Sequence, residues 1–224
     1  MNMKYLPTSS RSFRLSNLFL LILVVFIVFL IPLFPLSWHD LLFPASYTLL
    51  FLTTVLALQK HRERVITLAL IAIATEWIVK LFHLDLISYI SSAANLVFFS
   101  YAVASFIAQI VASPEIKLKE IIESINGYLL LGILFSILIA LVNRSSPGAY
   151  NFPEVPQSFS HYLYYGFVTL STLGYGDIVP KIPVAKSLAI LTSVGGQLYI
   201  ATIIAILVGK YAGGEGSTKR TEVN

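Results

Sequence analysis

Six apolar runs, at residues 15–36, 41–58, 65–82, 86–112, 120–142 and 183–209, fill most of the 224-residue chain. Each approaches the roughly 20 apolar residues that carry a helix across hydrocarbon. Inside a bilayer, backbone N–H and C=O groups are satisfied only within helices or closed barrels. Runs of this length therefore predict an all-α membrane protein with six transmembrane helices. Composition agrees: 57% of residues are hydrophobic and 12% charged, against about 25% charged in soluble domains. The net charge of +4 does not point to nucleic acid, because the basic residues flank the apolar runs and form no stripe beyond the QKHRER cluster at 59–64. The absence of cysteine excludes disulfides and thiolate metal sites. His39, His61, His83 and His161 are scattered near run ends with no metal-like grouping, and no nucleophile–base set is visible. No enzyme and no cofactor are expected.

The first run follows Lys4, Arg11 and Arg14. It is longer than the apolar part of a signal peptide and lacks a small-x-small cleavage pattern, so it reads as a membrane span. Eleven basic residues fall on one side of the six spans: Lys4, Arg11, Arg14, Lys60, Arg62, Arg64, Lys117, Lys119, Lys210, Lys219 and Arg220. Arg144 and Lys181 lie opposite, and Lys80 and Lys186 sit near span ends. The positive-inside rule then predicts a multi-pass cell-membrane protein with both termini cytoplasmic. Pro32, Pro35 and Pro44 are expected near span ends, where a missing donor is tolerated. Asn143-Arg144-Ser145 forms a glycosylation sequon, expected in an outer loop.

The chain divides near residue 112. Residues 1–112 make a four-span unit, 113–120 an interfacial linker, 121–211 a two-span unit and 212–224 a flexible cytoplasmic tail. No soluble regulatory domain is expected after it. In SPEIKLKEIIESI, Ser113 reads as a helix cap, Pro114 as the first helical residue and Glu115 as part of the first turn. The alternative is a plain extension of span five.

Within the two-span unit, a seventh apolar run, 158–170, is too short to cross the membrane and reads as a re-entrant helix. TLGYGD follows it. Gly174 and Gly176 permit φ > 0, and alternating them with Leu173 and Tyr175 lets successive carbonyls face one side. Extended backbone at membrane depth is tolerated only where it lines a pore or is covered by protein.

TLGYGD resembles the filter signature of the potassium channels, for which TVGYG is a standard illustration of carbonyl-based selectivity. The resemblance covers residues 120–210. It implies an extended selectivity filter of Thr172, Leu173, Gly174, Tyr175 and Gly176, with potassium held by the backbone carbonyls of Thr172, Leu173, Gly174 and Tyr175. It also implies a homotetramer, since one chain carries one filter strand. Leu173 replaces the usual Val or Ile. Tyr164, Tyr165 and Asp177 would support the filter, with Tyr175 in an aromatic cuff beside Tyr164 and Tyr165 and a hydrogen bond from Tyr164 to Asp177. Val168 stands where some members carry Glu. Val179 stands where an aromatic ring confers external tetraethylammonium block. Gly195 and Gly196 fall at the family's hinge position, with close packing as the alternative. Ile200, Ile204 and Val208 share a face suited to a hydrophobic gate or to lipid, and Gln197 is a candidate cavity group.

The six-span plan also resembles that of voltage-gated channels, but the fourth span contains no Lys or Arg. Glu76 and Lys80, at i and i+4, read as an ion pair, or as a lysine snorkelling outward with the glutamate following. The resemblance implies a potassium-selective channel that is not steeply voltage-gated. The alternatives are a less selective monovalent cation channel, the pore subunit of a potassium uptake system, or a non-conducting subunit. Membrane lipids are expected partners, and the regulatory ligand is open.

Overall fold

The computed structural model describes residues 11–58, 62–82, 85–152 and 158–221. Among these the chain is all helical, with no strand beyond an isolated bridge between Tyr150 and Pro180. The helices are α1 (Arg11–Val25), α2 (Leu36–Ala57), α3 (Arg62–Phe82), α4 (Asp85–Ala112), α5 (Leu118–Ser145), α6 (Phe159–Leu170) and α7 (Pro183–Thr221). Among the described residues six segments are long and apolar enough to cross a membrane: Leu15–Leu33, Leu36–Ala57, Glu63–Phe82, Ile87–Ala112, Leu118–Ser145 and Pro183–Ala212. Lys4, Lys60, His61 and His83 lie outside the described residues.

Proline chemistry shapes the first two helices. α1 passes into a π-turn over Phe26–Leu30 and a short 3-10 turn over Ile31–Leu33. Pro32 offers no N–H to the carbonyl four residues earlier, and the widened turn absorbs that loss. Pro44 differs from expectation. α2 begins at Leu36, so Pro44 lies inside the helix rather than near its end. Its missing N–H leaves the Asp40 carbonyl without a helical donor, and the Lys80 ammonium of α3 donates to that carbonyl. One turn on, Thr48 Oγ1 donates to the Pro44 carbonyl at 2.9 Å and accepts from Trp77 Nε1 at 3.0 Å.

The expected Glu76–Lys80 pair is not formed. With Lys80 engaged on α2, Glu76 accepts from two α4 groups, Ser91 Oγ at 2.9 Å and Asn95 Nδ2 at 3.2 Å. The reason is geometric: each side chain finds a partner across a helix interface, where partners are already desolvated.

Residues 113–117 join α4 to α5, and here too expectation is corrected. Ser113 and Pro114 do not start a helix; α5 starts at Leu118, with the Glu120 carboxylate accepting from the Lys117 N–H at 3.0 Å. Ser113 Oγ donates to the same carboxylate at 2.9 Å. The α7 helix runs on to Thr221, through residues expected to form a flexible tail. Once a helix is nucleated, each further residue adds a hydrogen bond. The sequon is also displaced: Asn143 is buried in α5, and its Nδ2 donates to Tyr162 Oη at 3.1 Å.

The aromatic core ties the two halves together. Tyr47 and Phe51 of α2 pack with Phe98 and Phe99 of α4, and Phe159 at the start of α6 lies edge-on to both Phe43 and Tyr47. α4 lies along α5 and is held at both ends. At one end Arg144 of α5 donates to Ser88 Oγ at 2.6 Å and lies over the Tyr89 ring. At the other, Lys210 of α7 donates to the carbonyls of Ile110 and Val111 at 2.8 and 2.6 Å and to that of Ser113. A cation at a helix C-terminus meets the negative end of the dipole.

Candidate functional site

The short helix α6 is positioned by close backbone approach. A Cβ on Gly132 of α5 would meet the Phe167 ring at 2.3 Å, and one on Gly166 would meet Ser136 Oγ at 2.4 Å. The last carbonyl of α6, Leu170, would lie 2.3 Å from a Cβ on Gly196 of α7. Gly196 thus packs closely against the end of α6, as the packing alternative at this position requires. Gly195 packs more loosely, its Cβ position 3.2 Å from the Phe135 ring. Gly196 stands near the middle of the span Pro183–Ala212, so α6 ends level with the middle of that span.

From that point the chain turns back. Ser171 N–H bonds the Phe167 carbonyl, and the Val168 carbonyl receives both Leu173 N–H at 3.0 Å and Gly174 N–H at 3.2 Å. Three alternate residues then have left-handed backbone: Thr172 at φ 60, Gly174 at φ 56 and Gly176 at φ 79. Thr172 is the only non-glycine residue of this kind among the described residues. Nothing lies within 4 Å of the Cβ positions of Gly174 and Gly176. Glycine is therefore required there by dihedral angle and not by space in the single chain. The positive φ of Thr172 has no glycine to announce it and was not legible in the sequence.

Residues 171–177 are all exposed on the single chain, including Leu173 at 55% and Tyr175 at 68%. Within one chain the Tyr175 ring stacks on neither Tyr164 nor Tyr165. Tyr165 packs instead against Tyr150 at 5.1 Å and Phe152 at 6.3 Å, so the expected cuff is not made inside the chain. The family resemblance implies that pairing; within the chain, Tyr150 and Phe152 from the loop before α6 are the rings that reach Tyr165.

The Tyr164–Asp177 hydrogen bond is present: Tyr164 Oη donates to Asp177 Oδ2 at 2.6 Å. That bond holds the Asp177 carboxyl below the usual carboxylate range and raises the Tyr164 phenol. Asn151 adds a second clamp that sequence reasoning missed. Its Nδ2 donates to the Asp177 carbonyl at 3.2 Å and its Oδ1 accepts from the Val179 N–H. Together with Lys181 N–H on the Ala149 carbonyl at 2.8 Å, it fixes residues 177–181 against the loop after α5. A lone Asn in a polar loop gave no signal for this.

On α7, a stripe including Leu188, Thr192, Gly196, Tyr199 and Ile203 is buried. Gln197, Ile200, Ile204 and Val208 are exposed. Only 22% of this span's most apolar window is buried, against 61% for α5. Tyr199 reaches across to donate to the Ser124 carbonyl at 2.8 Å.

Comparison with known proteins bears on this segment. Residues 127–212 match the ion channel family profile. Over 90 residues the chain is 32% identical to the A-type voltage-gated potassium channel KCND3 of Homo sapiens, covering 38% of this chain and 13% of that protein. The Rattus norvegicus protein of the same name gives the same figures. The potassium voltage-gated channel protein Shal of Drosophila melanogaster is 31% identical over 80 residues, 36% of this chain and 13% of its own. The chain thus spans about 13% of the length of the curated relatives it matches. No solved structure matches it significantly. The profile so matched is one of ion channels and not of enzymes, and the matched residues, which span most of α5, α6 and the membrane part of α7, are similar to segments of potassium channels.

Proposed function

We propose that the chain forms a homotetrameric, potassium-selective channel in the cell membrane. The observation that carries this reading is the alternation of left-handed backbone at Thr172, Gly174 and Gly176. Such alternation aims the carbonyls of Thr172, Leu173, Gly174 and Tyr175 to one side, and a ring of such rows replaces the water shell of a dehydrated cation. The exposure of residues 171–177 on a single chain supports the tetramer, because extended backbone at membrane depth requires protein around it. α6 is then the pore helix, and its C-terminal dipole favours a cation at mid-membrane depth. Ionised Asp177 makes the outer mouth negative. Ile200, Ile204 and Val208 are the candidate gate, and Gln197 faces the cavity above it.

The distribution of Lys and Arg supports cytoplasmic termini and an outward-facing mouth. Lack of steep voltage gating is supported by a fourth span without Lys or Arg and by the anchoring of α4 at both ends by Arg144 and Lys210. The α1–α4 unit acts as a scaffold, or as a receptor for lipid or a partner that works through residues 113–117.

Bi-ionic reversal potentials of the reconstituted protein test selectivity. Potassium and rubidium should pass and sodium and lithium should be rejected. Equal potassium and sodium permeability would refute the reading and favour the less selective cation channel.

A further inference from the structure

Two histidines that look unrelated in sequence converge on one serine, the residue that caps α6. Ser158 precedes the helix, and its Oγ accepts from Ser160 N–H at 3.5 Å. His39, near the start of α2, is 5% exposed. Its Nε2 lies 3.0 Å from the Phe34 carbonyl and its Nδ1 lies 2.6 Å from Ser158 Oγ. A carbonyl only accepts, so Nε2 carries the hydrogen. In the neutral ring Nδ1 is then a lone pair, and the Ser158 hydroxyl donates to it. His161, three residues into the helix, brings its Nδ1 to 3.3 Å from both the N–H and the carbonyl of Ser158. As a lone pair it accepts from the N–H; once protonated it donates to the carbonyl.

Protonation therefore changes both contacts. An imidazolium at position 39 turns Nδ1 into a donor. The Ser158 hydroxyl must rotate its hydrogen away and present one lone pair to the ring while the other still faces the Ser160 N–H, so the hydroxyl hydrogen loses His39 as its acceptor. An imidazolium at position 161 releases the Ser158 N–H. Both charges stand at the positive end of the α6 dipole, where cations are unfavourable. The other charged groups around the joint do not offset them. Asp40, next along α2, is exposed, and Lys80 of α3 donates to its carbonyl. The segment leading into His39 over residues 31–35 is Ile-Pro-Leu-Phe-Pro, without charge. His83 and Glu154 lie outside the described residues.

We propose that His39 and His161 form a proton-sensing joint on Ser158, through which acid on the mouth side loosens the first turn of α6 and lowers conduction. The inference rests on the reading of α6 and TLGYGD as a conducting pore. Phe159 strengthens the coupling, since it plugs the same turn into Phe43 and Tyr47 of the four-helix unit. The joint would thus let the four-helix unit and the pore report to each other at the outer surface.

The test is potassium current through the full chain in planar bilayers, with pH stepped from about 8 to 5.5 on one side at a time. Acid at the mouth should reduce current about fivefold, and acid on the opposite face should not. His39→Asn places an amide oxygen near the Nδ1 position, so it keeps the contact without titrating. It should conduct normally at the upper pH with a smaller acid response, as should His161→Asn, and the double variant should lose the response. An acid-insensitive wild type, or a double variant that responds like wild type, overturns the proposal. Absence of potassium current at the upper pH would instead sink the conduction reading. Hydrogen exchange at residues 160–163 then decides the joint by itself. The wild type should lose protection relative to the double variant at the lower pH, and an unchanged ratio between the two overturns it.

Discussion

The four-helix unit, α1 to α4, and the proposed pore unit, α5 to α7, place polar groups inside apolar helices in contrasting ways. In the four-helix unit, side chains answer each other across helix interfaces. Glu76 takes Ser91 and Asn95, Lys80 takes the carbonyl that Pro44 leaves open, and Trp77 takes Thr48. In α5 to α7 the contrast lies at residues 171–177, which the chain itself leaves exposed and whose carbonyl directions are set by backbone dihedrals. In the first unit Glu76, Lys80 and Trp77 find partners inside the chain, although Tyr47 Oη, Asn95 Oδ1 and Gln109 Oε1 are buried without one, and such internal pairing suits a scaffold. The other presents groups to something outside the chain, which suits a shared pore.

The largest expected effect lies on the pore side. Gly174→Ala or Gly176→Ala forces a side chain into left-handed backbone, with strain of roughly 1–2 kcal/mol per subunit. Across four subunits that should abolish selective potassium conduction while leaving α1–α7 folded. Flux and circular dichroism measured together check this, and a selective Ala variant would break the contrast. Lys80→Met should act on the other side. It leaves the Asp40 carbonyl without a donor and should cost about 1 kcal/mol of stability. A lowered thermal midpoint in detergent with unchanged selectivity is expected; altered selectivity would show that the units are not separate in this sense.

Tyr164→Phe removes the donor to Asp177 and should speed loss of conduction during maintained opening, roughly two- to threefold. The sign of its pH dependence follows from the depressed Asp177 carboxyl. A lowered acid contributes stability above its ordinary range, and loses it only as pH falls through the lowered value. The brace should therefore persist between about pH 8 and 5. Patch recording across that range distinguishes it from any histidine-based response, and unchanged kinetics for both Tyr164→Phe and Asp177→Asn would dispose of the brace. The smallest change is at the mouth. Val179, 40% exposed, offers no ring to a quaternary ammonium. External tetraethylammonium should block weakly, and Val179→Tyr should strengthen block several-fold without altering selectivity. Tight block of the unmodified channel would place the mouth wrongly.

The same contrast explains what could be read from the sequence. The apolar spans, the short helix α6 and the positive φ of Gly174 and Gly176 are local properties, fixed by apolar length and by the conformational freedom of glycine. The bond from Tyr164 to Asp177 was reachable because family spacing links those positions. The partners of Glu76 and Lys80 were not. They depend on which helix lies alongside, and on Pro44 freeing a carbonyl that no side-chain pattern reveals. Asn151, Thr172 and the meeting of His39 with Ser158, 119 residues apart, are tertiary facts of the same kind. The helix start at Leu118 in place of Pro114 shows another limit. Good capping residues at Ser113 lost to Glu120, which satisfies Lys117 N–H and Ser113 Oγ together.

The conductance–voltage relation of the purified protein in a defined bilayer tests the contrast most directly, because it asks both units at once. A selective pore attached to a sensorless scaffold should give potassium current with shallow voltage dependence that changes with the permeant ion. Moving one charge through the field is worth about 2.3 kcal/mol per 100 mV, and voltage sensors move roughly three to four per subunit. The α4 span supplies no Lys or Arg for this. A slope equivalent to several gating charges per channel, unchanged when the permeant ion is exchanged, would contradict the account and return the search for sensor charge to Glu76 and Lys80.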